Sequence, residues 1–152
     1  MTRQIATKYL GKMEIDNQQI IQFSSGLPGF IDEFEFVILD IPGNKAFQTL
    51  QSVVTPELAF IVTNPHQYYV EYTFQLDEQI LEHLGIENEE DVVVLSIVTL
   101  KSPFKTSTLN LKAPIIINST KKRGKQYILN QEEYLTKAPI FSPNMQYVEG
   151  ES

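Results

Sequence analysis

Short apolar runs, rich in β-branched side chains and cut off by turn signals, recur along this chain and leave little room for helices. FVILDI (36–41), LAFIVT (58–63) and VVVLSIV (92–98) are nearly continuous, as strands covered on both faces are. YVEYTFQL (69–76) alternates instead. Val70, Tyr72, Phe74 and Leu76 are expected to face a core, and Tyr69, Glu71, Thr73 and Gln75 to face out. QQIIQF (18–23), FQTLQSV (47–53), KTSTLNL (105–111), PIIIN (114–118) and QYIL (126–129) complete the set. GLPG (26–29), PGN (42–44), NP (64–65) and KKRGK (121–125) punctuate it. Many short strands joined by tight turns predict an all-β, mainly antiparallel fold of barrel or sandwich type.

One short helix is signalled within this pattern, over DEQILEHL (77–84). Asp77 suits the N-cap, where a carboxylate accepts orphan amide hydrogens. Leu76 and Leu81 are placed as a hydrophobic staple, and Gly85 suits the left-handed position that ends a helix. Ile80, Leu81 and Leu84 share one side, so the helix is expected to plug an open barrel end.

NLKAPIIIN (110–118) reads as an architectural corner. Pro114 cannot donate to a ladder and so starts a strand. Ile115 and Ile117 then point one way and Ile116 the other, so both faces of that strand require cover. Asn110 and Asn118 bracket it, placed to satisfy backbone groups that leave the ladder.

A chain of 152 residues is expected to form one domain, residues 1–141, with 142–152 a polar tail. It has no cysteine, which removes disulfides, thiolate zinc sites and cysteine nucleophiles together. No apolar run approaches the roughly 20 residues that span a bilayer. MTRQIATKYL lacks the apolar core of a secretory signal, so a cytoplasmic location is expected.

The distribution of charge says more than the net value of −7. Residues 14–91 carry fifteen acids against one base, Lys45, whereas 92–152 carry eight bases and four acids. So acidic a middle repels nucleic-acid phosphates and attracts basic proteins.

Chemistry-bearing patterns are sparse. His66 and His83 lack metal-ligand spacing, and ENEED (87–91) lacks the calcium-loop pattern. No phosphate loop surrounds Gly124, and KKRGK reads as a solvated basic turn. Asn118-Ser119-Thr120 matches a glycosylation sequon that a chain without a secretory signal would not use. Asp32, Glu33 and Glu35 offer a carboxylate pair in principle, which keeps a hydrolase or carbohydrate-binding barrel as the alternative reading. A purely structural subunit is a third. No cofactor, metal or catalytic residue is expected.

Several stretches together resemble the bacterial flagellar assembly factor family FliW. They are Phe23, Gly26, Leu27, Pro28, Gly29 and Phe30 in F-x-x-G-L-P-G-F, LQS at 50–52, LAFIV at 58–62, and Tyr72. Asn110, Leu111, Ala113, Pro114, the run ending at Asn118, Gly124, Gln126 and Tyr134 continue the series, which spans about residues 5–141. Asn64 departs from it, since the family commonly has aspartate there. The resemblance implies a small non-enzymatic β-barrel-like protein that binds cytoplasmic flagellin. It also implies that the free protein binds the RNA-binding repressor CsrA away from its RNA site, relieving repression of flagellin translation. Protein partners, no direct nucleic acid, no membrane and a monomer on its own are the corresponding expectations. Charge and pattern, not the resemblance, nominate the partner-binding residues Tyr69, Glu71, Thr73, Asp77, Glu78 and Glu82, then Glu89, Glu90 and Asp91.

Overall fold

The computed structural model describes residues 1–140. The expected polar tail lies outside the described residues. The chain opens with a hairpin of β1 (Thr2–Ala6) and β2 (Lys12–Asp16). Then come β3 (Ile21–Gln22), β4 (Glu35–Ile41), β5 (Asn44–Ser52) and β6 (Ala59–Thr63). Helix α1 (Glu78–Leu84) precedes β7 (Val92–Thr99), β8 (Thr108–Leu109) and β9 (Ile115–Asn118). β10 (Arg123–Gln126) and β11 (Ala138–Pro139) complete the order. Neighbours pair in the sequence β7–β6–β5–β4–β3–β10–β9, and β9 returns to β7 through Val92↔Asn118 to Leu95↔Ile115. The sheet therefore closes on itself. Its pairings are antiparallel except β3 with β10, where Gln22 meets Arg123 in parallel. This is the all-β barrel that the run-and-turn pattern predicts, with one α-helix among the described residues.

Side chains from alternate strand positions fill the barrel: Phe23, Phe36, Leu50, Val62, Leu95, Ile115 and Ile117 form one buried cluster. Each such side chain contributes about 2 kcal/mol by leaving water. The opposite parity faces outward and is also covered. The β1–β2 hairpin lays Ile5 and Ile15 on Val37 and Leu39. Helix α1 lays Ile80 and Leu84 on Ile116. Tyr72, Leu111, Leu129 and Ile140 pack over Phe47, Val98 and Leu109.

NLKAPIIIN is the corner expected of it, with Ile115 and Ile117 inside and Ile116 outside. Asn110 Oδ1 accepts from Ala113 N at 3.0 Å. Buried Asn118 donates through Nδ2 to Leu84 O at 2.9 Å and Gly85 O at 3.1 Å. Its Oδ1 accepts from Thr120 N and Lys121 N. One amide thus ties the end of α1 to the turn after β9. Gly124 on β10 faces Phe23 so closely that a Cβ there would sit 2.6 Å from the ring's Cζ. A larger residue would push the ring out of the core.

The differences from expectation have local causes. Residues 69–76 form no strand: the backbone turns, with Tyr72 N donating to Tyr69 O, and then runs extended over the outer barrel wall. Tyr134 replaces a ladder partner there, its hydroxyl accepting from Thr73 N and donating to Thr73 O. Tyr72 is buried as expected, and Phe74 and Leu76 are half-buried, but Val70 is 80% exposed. Tyr69, expected outward, is half-buried and donates its hydroxyl to Pro139 O. The turn KKRGK gives its last three residues to β10, displacing the strand expected at 126–129. QQIIQF keeps only Ile21–Gln22 in a strand, because Asp16 and Gln19 form a capping box around a 3-10 turn at Asn17–Gln19. KTSTLNL keeps only Thr108–Leu109, a 3-10 turn occupying Phe104–Thr106. Helix α1 has the expected bounds and caps, Asp77 accepting from Ile80 N and Gly85 adopting φ 66°. It covers the outside of β9, though, and does not plug an end, because Ile116 needs cover there. Among the described residues no helix is long and apolar enough to cross a membrane.

Candidate functional site

Two exposed surfaces stand out on this barrel. The first is a rim made by the loops after β3 and after β5. Phe23 and Leu27 root the first loop in the core. Gly26 adopts φ 66°, and a Cβ there would meet Ile31 Cα at 2.6 Å and Phe30 O at 2.7 Å, so the loop folds flat on its own backbone. A tight turn follows, closed by Phe30 N donating to Leu27 O at 2.7 Å. Glu33 then reaches across: its Oε1 accepts from Ser52 Oγ at 2.8 Å and its Oε2 from Thr55 Oγ1 at 2.6 Å. Ser52 Oγ also accepts from Val54 N and Thr55 N.

Beneath the second loop lies Gln51, 1% exposed. Its Nε2 sits among the carbonyls of Ser52, Thr55, Pro56 and Leu58 at 3.0–3.4 Å, and its Oε1 accepts from Lys8 N. Buried polar groups that satisfy one another in this way hold a loop in one conformation. Four large apolar side chains are among those the two loops present outward: Phe30 at 41%, Ile31 at 68%, Phe34 at 45% and Val54 at 72% exposure. The Phe30 ring meets Phe60 edge-on at 5.8 Å. Asp32 and Glu57, both exposed, lie between these residues in the sequence.

The second surface is the acidic one. Glu78 and Glu82 are exposed one turn apart on α1, and Glu89 and Glu90 are exposed on the 3-10 turn Glu89–Asp91. Glu71 is exposed upstream, in the turn that brings Tyr72 under the outer layer. The other four nominated residues also make architectural bonds, Thr73 through its backbone alone with its side chain exposed. Tyr69 bonds Pro139, and Thr73 bonds Tyr134. Asp77 caps α1 and accepts from Tyr127 at 3.2 Å. Asp91 accepts from Thr120 Oγ1 through its carboxylate and from Ser119 through its carbonyl. The acidic face is also interrupted, since Lys121 pairs with Glu87 at 3.3 Å and Arg123 and Lys121 crowd Gly85 at the end of α1. Cations at that end suit the helix dipole.

A family model described as FliW protein matches residues 4–140. The chain belongs to the FliW family. A flagellar assembly factor FliW of Oceanobacillus iheyensis is 54% identical over 148 residues, covering 97% of this chain and 99% of the relative. The Bacillus subtilis protein of the same name is 48% identical over 136 residues, covering 90% and 95%. A crystal structure of the flagellar assembly factor FliW superposes with a TM-score of 0.88 at 44% identity, covering 92% of this chain and 98% of that one. These relatives are named as assembly factors, not as enzymes.

The FliW motif residues now have physical roles. Phe23, Gly26 and Leu27 root the rim, Gln51 and Ser52 organise its second loop, and Gly124 leaves room for Phe23. Tyr72 donates its hydroxyl to Leu111 O at 2.6 Å and stacks edge-on against Tyr134 at 4.7 Å. Burial, with the neighbouring Tyr134, pushes the Tyr72 phenol well above its ordinary range. Asn64 caps the turn Pro65–Gln67 by accepting from His66 N, work that an aspartate would also do.

The sequence favoured a tight turn for GLPGF over a backbone closely approached by a ligand, and the apolar display beyond it went unforeseen. The available signal was three large apolar residues, Phe30, Ile31 and Phe34, interleaved with acids directly after a turn signal. The carboxylate-pair alternative finds no support in the geometry. The barrel interior is apolar, and Glu33 and Glu35 are engaged at the rim, Glu35 with Arg3 and Gln22. A depression of about 570 Å³ beside the β4–β5 turn has one carboxylate, Asp40, which accepts from Gln48. Among the described residues no group of three or more histidines and carboxylates is placed to hold a metal ion.

Proposed function

We propose that this chain is a non-enzymatic flagellar assembly factor that works in the cytoplasm by binding two proteins in turn. It holds cytoplasmic flagellin, and when flagellin is exported the freed protein binds the repressor CsrA away from its RNA site, so that flagellin translation resumes. Family membership over residues 4–140 is the observation that carries this reading. The exposed carboxylates Glu71, Glu78, Glu82, Glu89 and Glu90 support it, none having a hydrogen-bond or ion-pair partner among the described residues. An RNA-binding protein displays a basic surface, and complementary potential steers it onto such a face. Each partner needs about 800 Å² of this small surface, which favours competition over simultaneous binding.

Calorimetric titration of the purified protein with flagellin and, separately, with CsrA tests this, at low and high salt. Binding to both is expected, flagellin excluding CsrA and salt weakening CsrA. The triple change Glu71→Lys, Glu78→Lys, Glu82→Lys should weaken CsrA at least tenfold (about 1.4 kcal/mol) while the melting temperature stays put. Asp77 is left intact because it caps α1. A folded protein that binds neither partner would refute the proposal. Unchanged CsrA affinity in the triple variant would remove this face.

A further inference from the structure

The rim has the construction of a preformed docking surface. Four large apolar side chains, Phe30, Ile31, Phe34 and Val54, stand 41–72% exposed on two loops that are otherwise tied down. Glu33 clamps the loops to each other, Gln51 gathers the carbonyls of the second, and Leu27 anchors the first. A fixed apolar surface binds without the ordering cost that a flexible one incurs. Large apolar side chains left exposed on loops held in this way point to an interaction site.

The charge around it defines the occupant. Asp32 and Glu57 are exposed and have no hydrogen-bond or ion-pair partner among the described residues, while Arg3 is engaged by Glu35. Lys8, from the β1–β2 turn, lies over the Tyr9 ring at 5.3 Å. We propose that the rim takes the apolar face of an amphipathic helical segment of a partner protein whose flanks are basic. Apolar residues at one-turn spacing would seat between Phe30, Ile31, Phe34 and Val54, and lysines or arginines beside them would meet Asp32 and Glu57. This deepens the reading of the chain as a binding protein, and it is a different surface from the acidic face of α1. The two adjoin, since Ser24 Oγ at the root of the rim loop lies 3.2 Å from His83 Nε2 on the helix.

The probe is a synthetic helical peptide of leucine and lysine, about five turns long with leucine on one face, and its leucine–glutamate counterpart. Titration of the full chain should show the lysine peptide binding and the glutamate peptide at least roughly tenfold weaker. Amide shifts in labelled protein should cluster at residues 27–34 and 53–57. The double change Ile31→Ser, Val54→Ser alters no charge and touches two side chains already 68% and 72% exposed. It should keep the melting temperature and lose roughly tenfold in lysine-peptide affinity. Equal affinity for both peptides, equal affinity of the double variant, or shifts centred on α1 would overturn the proposal. So would self-association of the parent chain abolished by the double change, which would make the occupant a second copy. Flagellin and CsrA titrated against the double variant separate the two readings. Loss of the rim's role leaves at least one of them bound, whereas failure of the function leaves neither bound to the parent.

Discussion

The rim and the α1 face are both exposed surfaces of one barrel, yet they are held by different means. The rim presents large apolar side chains beside Asp32 and Glu57, and its supports are buried polar groups, Gln51 and Ser52 at 1% and 0% exposure. The α1 face presents carboxylates, and its support is a two-turn helix with one capping aspartate and two buried side chains, Ile80 and Leu84. The FliW motif residues fall on the rim's supports and on the corner at 110–118, which meets α1 from beneath and at its C-terminal end, away from its exposed carboxylates. In a binding protein of this kind, motif residues mark what holds a surface, while the contacting side chains sit beside them.

The comparison breaks most visibly at Gly26. Gly26→Ala combines a positive φ with a Cβ 2.6 Å from the Ile31 backbone, and neither backbone can yield without moving the loop. Destabilisation of about 3 kcal/mol is expected from these two terms. Urea unfolding measures it. A loss under 1 kcal/mol would mean that the rim is more pliable than its hydrogen bonds indicate.

Gln51→Leu tests the same support without touching the main-chain path. Leucine fills similar space but leaves Lys8 N without its acceptor and the carbonyls of Ser52 and Pro56 without the amide. About 2 kcal/mol should be lost. Hydrogen exchange should accelerate at residues 53–58 and leave α1 unchanged. Equal acceleration in both regions would show that they open as one unit.

The sequence was legible where local chemistry and burial agree. The runs at 36–41, 47–53, 58–63 and 92–98 became β4 to β7 because their apolar positions face the interior on one parity and an outer layer on the other. Helix α1 was legible from Asp77 and Gly85, since caps are read within a few residues. The segment 69–76 misled because alternation reports one buried side and does not say what satisfies the backbone. Here Tyr134 does that work, and it lies far along the chain. The β1–β2 hairpin went unread because each of its strands buries a single side chain, Ile5 or Ile15, too few to set a period. The nominated partner surface was legible only as charge. Sequence could not tell Glu78 and Glu82, which face solvent, from Asp77 and Asp91, whose carboxylates are engaged in capping and in a bond to Thr120. The rim was hidden for a further reason: Glu33 gains its role only once Ser52 and Thr55 are beside it.

The smallest expected effect belongs to Asp77→Ala, and it is the sharpest test of the contrast. The change removes the acceptor for Ile80 N and the partner of the Tyr127 hydroxyl, but both are close to solvent, where water can replace much of what is lost. A cap of this kind contributes about 1 kcal/mol. Because α1 is only two turns long, that loss should appear as local opening at its first turn. Amide exchange in residues 80–84 should rise roughly fivefold, the factor that 1 kcal/mol represents. Exchange at 27–34 and 53–58 should not move, and the urea midpoint should fall only slightly. If the rim loosens with the helix, the Ser24–His83 contact couples the two surfaces, and a partner seated on one would be felt at the other.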